Sequence, residues 1–386
     1  MPLELTVDQS ALSRALRLAS RVSSTRATLP ILQMVLIEAE AGCLRLTATD
    51  AELAMTTRVS ADVTTPGRTA LPARLLGEYV ANLSAEPLRL TLDPEHHRAR
   101  VTCGRLEAAL ATADPDEFPV FPTTDKPSAI DLEAGRLRRA IERVAFAAAR
   151  DESRPVLSAV LFNFGDEGLT LAAADGFRLG RTRLPEANAA AQRLLVPVRA
   201  VAELGRLLVD AERARLHLTP DGRGVSFVVG ETKLYTRLIE GQFPDIERVI
   251  PRECATRVSV ETAAFRQAVR VAGLFGGGEA RAVVIEAADG RLQLHAHGDE
   301  TGEAEGVLPA TLVGKPQAVA LNTRLLTDLL DAVSAPTLEL GWTTPQTPVL
   351  VRESGRADSD DLWIVMPLHD LSLTNRTPAA ATTKVA

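Results

Sequence analysis

Apolar and polar positions along the chain follow two alternating periods. Leu3-Glu4-Leu5-Thr6-Val7 alternates, which predicts a strand with one buried face. Asp8 or Ser10 then offers an oxygen to the free amides of a helix start. Leu12, Ala15, Leu16 and Ala19 follow at i, i+3, i+4 and i+7, one apolar helix face. Strands over residues 33–40 and 44–48 come next, joined by Ala41-Gly42. From Leu71 the grammar restarts: Leu76, Tyr79, Val80 and Leu83 mark a second helix, with strands around residues 88–92 and 99–103. The unit reads as two helices packed on antiparallel sheets, an α+β arrangement with its helices on one face.

That unit occurs three times. Leu71-Pro72-Ala73-Arg74-Leu75-Leu76 matches Val196-Pro197-Val198-Arg199-Ala200-Val201 and Leu321-Asn322-Thr323-Arg324-Leu325-Leu326, at a spacing of 125 residues. Leu46-Thr47-Ala48-Thr49-Asp50 matches Leu171-Ala172-Ala173-Ala174-Asp175 and the Leu294–Asp299 segment. Repeat ends agree at Glu117-Phe118-Pro119, Gln242-Phe243-Pro244 and Val365-Met366-Pro367. The expected domains are 1–124, 125–251 and 252–370, with turn-forming boundaries. Residues 371–386, rich in Ala and Thr, are expected to be a disordered tail.

Composition changes the picture only through charge. At 46% hydrophobic and 24% charged, the chain has ordinary globular composition, which excludes collagen-like and low-complexity classes. No apolar run has membrane-spanning length, the N-terminal residues do not form a secretory signal, and Cys43, Cys103 and Cys254 have no framework spacing. A soluble cytoplasmic protein is expected. The net charge of −7 argues against a nucleic-acid partner at first sight, but the basic residues are 39 Arg against 4 Lys. Arg14, Arg17 and Arg21 lie opposite the first apolar stripe, and residues 9–37 hold Arg26 as well but no acid. Arg136, Arg139, Arg143 and Arg150 lie off the second stripe, Arg266 and Arg270 beside the third. Arg74, Arg199 and Arg324 recur at one place per repeat. A solvated helix face would explain any one of these. Recurrence of one sign on an acidic chain points instead to a basic helical surface and an acidic outer one, contacting phosphates without reading sequence.

The motifs resemble the bacterial sliding-clamp family, the β subunits of DNA polymerase III. The likeness rests on Leu29-Pro30-Ile31-Leu32 after Arg26, Thr47-Ala48-Thr49-Asp50, Leu71-Pro72-Ala73-Arg74 and Asp175-Gly176-Phe177-Arg178-Leu179. Gly241-Gln242-Phe243-Pro244-Asp245 and Val365-Met366-Pro367-Leu368 extend it over about residues 1–370. The resemblance implies three DNA-clamp domains per chain and a head-to-tail homodimer ring around duplex DNA. It implies no enzyme activity and no cofactor; the ring tethers the replicative polymerase and repair proteins after a clamp loader places it. Implied DNA contacts are Arg26, Arg74, Arg150 and Arg154, joined by the helix-face residues Arg14, Arg139 and Arg199. Pro155-Val156 replaces the aromatics that the family often carries in that loop.

The resemblance further implies a pocket for short partner peptides, formed by Leu157, Ala174, Gly176, Phe177, Arg178, Leu179, Pro244, Arg248, Val249, Ile364, Met366, Pro367 and Leu368. Without the family these residues read as core packing at repeat ends. Phe177 stands where many members have His or Tyr. The ring interface is assigned to Leu110, Leu274 and Phe275, for which ordinary core is the competing reading.

Other signals are weaker. His295-Ala296-His297-Gly298-Asp299 would put two histidines on one side of a strand, as a metal-dependent hydrolase requires. No distant ligand set completes it, so no metal is expected. Gly276-Gly277-Gly278 lacks the Lys-Ser/Thr of a phosphate loop. Asp370-Leu371-Ser372-Leu373 resembles a clamp-binding peptide and is a candidate visitor to the pocket.

Overall fold

The computed structural model describes residues 3–23, 29–93, 95–122, 129–151, 153–185, 190–276, 281–355 and 361–368. They contain six α-helices: α1 Gln9–Val22, α2 Ala73–Ala81, α3 Ala134–Val144, α4 Val198–Leu207, α5 Thr262–Phe275 and α6 Thr323–Ala332. The chain forms two compact units, residues 1–137 with 202–238, and residues 138–201 with 239–386.

In the first unit, strands Leu106–Ala111, Arg98–Cys103, Pro87–Asp93 and Leu3–Asp8 lead into the long strand Leu53–Thr65. Its first half also pairs with Cys43–Thr49 on one side and Thr232–Arg237 on the other, with Leu53 opposite Thr236 and Thr57 opposite Thr232. The alternation of Leu3, Leu5 and Val7 puts all three in one core with the α1 face Leu12, Ala15, Leu16 and Ala19. Asp8 caps α1 by accepting the Ala11 amide at 2.8 Å. The Gln9 amide donates to the Val80 carbonyl at 2.6 Å, tying α1 to α2.

The second unit is built on the same plan. Strands Gln192–Pro197, Ala159–Gly165, Gly168–Ala174 and Arg178–Leu184 run into Leu362–Val365, with Arg178 opposite Val365. The sheet continues through Val349–Glu353, Thr337–Trp342 and Thr256–Glu261 to the long strand Gly302–Gly314, whose first half pairs with Arg291–Gly298. The core gathers Trp342, Trp363 and Phe265 with apolar faces of α5 and α6. Each unit therefore contains a joint where the last strand of one repeat adds to the strand that follows the turn aspartate, Asp50 or Asp175, of the repeat before it.

Candidate nucleic-acid and peptide interfaces

The helix faces left free by core packing carry the arginines, but the structure gives them different work. Arg14 and Arg17 are exposed on α1 with no ion-pair partner among the described residues. Arg139 on α3 is likewise exposed and unpaired among them, and Arg199 on α4 is exposed. Arg74 on α2 is exposed but bonded to Glu78, Nε to Oε1 at 2.8 Å, and that hydrogen bond raises its guanidinium above the ordinary value. Arg21 stands 3.9 Å from Glu203, which Arg206 also bonds. Arg26 lies outside the described residues.

Two helix-face arginines turn out to serve packing. The sequence places Arg143 off the apolar stripe of α3, yet its side chain is 13% exposed and bonds Asp361 and Glu353, which are 3% and 2% exposed. Trp363 adds a bond from its indole N–H to the Arg143 carbonyl at 2.7 Å. Arg266 donates to the carbonyls of Leu330 and Val333, the free C-terminal acceptors of α6. Arg270 pairs with Asp331 at 2.7 Å but stays exposed, as Arg74 does beside Glu78. A helical wheel shows which side of a helix is polar; it does not show that a neighbouring element will come to cover that side.

The apolar pocket is built on the turn after Gly168–Ala174. Asp175 Oδ1 accepts the amides of Phe177 and Arg178, both at 2.9 Å, while Oδ2 accepts Arg178 Nε at 2.9 Å. Gly176 sits at φ +93°, which a side chain would strain. This turn lifts Phe177 into solvent at 64% exposure. Leu179 and Ile364 face each other across the strand joint and form a buried floor with Leu350 and Leu362. Ala174, Ile246, Ile250 and Cys254 pack against that floor. Leu157 and Met366 are half-buried, and Pro244, Arg248 and Val249 stand exposed. Pro367 is buried and Leu368 half-buried, its amide donating to the Ala320 carbonyl at 2.8 Å. Met366 bonds back through its amide to the Phe177 carbonyl at 2.8 Å. The sequence reading missed Ile246, Ile250 and Cys254; the apolar spacing 246, 249, 250 around one helical turn was the available signal.

A cleft of about 1,210 Å³ lies beside Phe177 and is lined by Arg150, Arg154, Arg281 and Arg324. None of the four has an ion-pair partner among the described residues, and the Arg178 that also lines it is already held by Asp175 and Asp328. Asp151 is the remaining carboxylate, held below its ordinary range first by the Ser153 hydroxyl. The cleft is thus a concentrated guanidinium surface suited to phosphates or carboxylates. Val156 turns inward from this loop and packs over Gly241, where an added Cβ would meet Val156 Cγ2 at 2.6 Å.

Three family models of the DNA polymerase III β subunit match in chain order: the N-terminal domain over 3–122, the central domain over 131–245 and the C-terminal domain over 247–368. The chain belongs to the DNA polymerase III β-subunit family. The β sliding clamps of Caulobacter vibrioides and Streptomyces coelicolor are each 29% identical to it, over 95% of this chain and 100% and 99% of theirs. The solved C. crescentus β sliding clamp superposes with a TM-score of 0.89 at 29% identity, covering 95% of this chain and all of that one. A Pseudomonas aeruginosa clamp bound to griselimycin gives 0.89 at 26% identity over 95% and 100%.

The residues that the β-subunit resemblance assigned to the ring interface fall into two kinds. Leu274 is 73% exposed at the end of α5 and Phe275 is partly buried against the core. Leu110 is 5% exposed inside its own domain's core, so the strand carries it inward. The apolar side chain that this strand exposes is Leu106, at 55%. The His295 pair of signals resolves into separate contacts: His295 lies 3.5 Å from Glu305 and His297 3.4 Å from Asp299. Among the described residues no three His, Cys, Asp or Glu side chains converge on a metal position, and no helix is long and apolar enough to cross a membrane.

Proposed function

We infer that this chain is a DNA sliding clamp: a head-to-tail homodimeric ring that encloses duplex DNA and tethers replication and repair proteins to it. The chain performs no reaction; its effect is to raise the local concentration of the enzymes it holds. The observation that carries the reading is the ordered match of all three β-subunit domains. Exposed Arg14, Arg17, Arg74, Arg139 and Arg199 supply sequence-independent phosphate contacts, with Arg150 and Arg154 at the cleft. The Leu179/Ile364 floor, with exposed Phe177 and half-buried Met366, suits apolar anchors of short partner peptides. Clamp loader, polymerase and repair proteins are the expected partners, at the nucleoid in the cytoplasm. The domains are placed at 1–124, 125–251 and 252–370; residues 371–386 lie outside the described residues.

The deciding experiment loads the protein onto nicked circular DNA with a clamp loader and ATP, then linearises the DNA. Retention on the circle with loss from the linear form is the expected result. Equal loss from both would favour a partner-binding module that does not encircle DNA.

A further inference from the structure

The two joints inside the chain share one register, and that register dictates the residues of a third. In the first joint Leu53 opposes Thr236 and Thr57 opposes Thr232. In the second Arg178 opposes Val365. Cross-strand neighbours make these equivalent: Leu46 pairs with Thr57 and Leu171 with Thr182, four residues beyond Leu53 and Arg178. The ladders Leu216–Phe227–Leu234 and Leu340–Val351–Trp363 set Thr236 and Val365 two residues beyond their last members. The same ruler extends to the third repeat, where Leu294 pairs with Gly306 and His297 with Glu303. Gly306 is therefore the counterpart of Thr57. On the other side, the tight turn joining Cys103 to Leu106 matches the one joining Val229 to Thr232, so Leu106 is the counterpart of Thr232. Among the described residues, Gly302–Gly306 and Leu106–Ala111 each have one edge with no strand on it.

We propose that these two edges join between copies of the chain in one register, with Leu110 opposite the second copy's Gly302, Ala108 opposite Ala304 and Leu106 opposite Gly306. The inference rests on the head-to-tail ring and adds which residues meet. Directly opposed residues of an antiparallel pair share a face, so Leu106 falls on the α5 side. There the missing side chain of Gly306 leaves a pocket of about 240 Å³, lined by Ala268, Val271, Ala272, Leu294, Ala304 and Leu308. An exposed leucine and an apolar pocket are thus brought together by a register derived without reference to either. Val271, 48% exposed, gains cover in the same step.

On the outer face the register sets Glu107 against Glu305, like charges directly opposed, and Ala109 against Glu303. Within the chain Glu107 bonds Arg100, whose cross-strand neighbour is Ala109. Arg100 can therefore reach Glu303 past that small residue, while Glu107 competes for it. His295 beside Glu305 and His297 opposite Glu303 complete this face. Leu106 closes the joint and Glu107 opposes closure.

The test is the dimer dissociation constant of the full chain by sedimentation, with thermal melting as the folding control. Every substitution falls on both joints of a ring. Leu106→Ala is expected to weaken the dimer by about a hundredfold or more, with Leu106→Met restoring most of it. Glu107→Gln is expected to tighten it about three- to tenfold. Ala108→Cys with Ala304→Cys should give an oxidatively cross-linked dimer, with the unsubstituted chain and its three native cysteines as blank. Ala109→Cys with Ala304→Cys, on opposite faces, should not. A dimer that forms but fails to trap at 108–304, or is indifferent to Leu106→Ala, overturns the register and leaves the ring standing. A chain that remains monomeric at every concentration overturns both.

Discussion

Arg178 and Asp328 are 150 residues apart in the chain, and their side chains meet at 2.6 Å. Arg178 belongs to the pocket turn and Asp328 to α6, so this bond fastens the proposed peptide site to a helix of the next repeat. Arg178 is 5% exposed, bonds Asp175 as well, and lies over the Phe146 ring at 5.4 Å from its centre. Its Nε and one terminal nitrogen are thus held by carboxylates of the protein itself. It thereby braces the Asp175 turn that carries Phe177.

Replacing Arg178 with alanine removes the cation between two partly buried carboxylates. The expected cost is about 2–4 kcal/mol in urea unfolding, together with a loss of tenfold or more in peptide affinity. Wild-type unfolding by the variant would show that the bond does not hold the turn.

Arg143 and Arg139 lie four residues apart on α3 and should behave in opposite ways. Arg143→Ala removes its bonds to the buried carboxylates of Glu353 and Asp361 and should destabilise the protein by about 3 kcal/mol, with the salt dependence of DNA binding unchanged. Arg139→Ala should leave stability unchanged and lower the slope of log K against log salt by about 0.9 for each phosphate it no longer neutralises. Unfolding curves and salt titrations on the same two variants separate these roles.

The Glu78 carboxylate holds Arg74 in the free protein. Both are exposed, so a phosphate can replace the carboxylate at small cost. Glu78→Gln should therefore strengthen DNA binding several-fold at low salt and less at high salt, while Arg74→Ala weakens it irrespective of sequence. Fluorescence anisotropy on two unrelated duplexes would expose any dependence on base sequence.

Cys254 packs at the pocket floor, where burial pushes its thiol above the ordinary value. The thiol form is the one the fold prefers, so stability should decline as pH rises past the usual thiol range. Alkylation by iodoacetamide at pH 8 should be tenfold or more slower than for an unfolded cysteine, and urea should abolish the difference. Rapid labelling of the native protein would place Cys254 nearer solvent than this packing allows.

The amino-acid sequence by itself determined the repeat and the helix faces; the pocket residues, taken alone, read as core packing. Alternation at Leu3–Val7 and the four-residue spacing of Leu12 and Leu16 are local patterns, and local patterns survive into the fold because burial rewards them directly. The turns at Asp50 and Asp175 were legible because each aspartate accepts the same two amides, two and three residues on, while Asp299 stands fully exposed. Tertiary structure alone decided which arginines remain available. Arg143 and Arg266 sit on polar faces as Arg139 does, but acceptors from residues 64 to 218 positions away reach them. It also decided that Leu110 points inward while Leu106, on the same side of the same strand, stays exposed. A residue's own pattern gives its direction from the backbone; what stands in that direction is contributed by distant chain, and only folding brings it there.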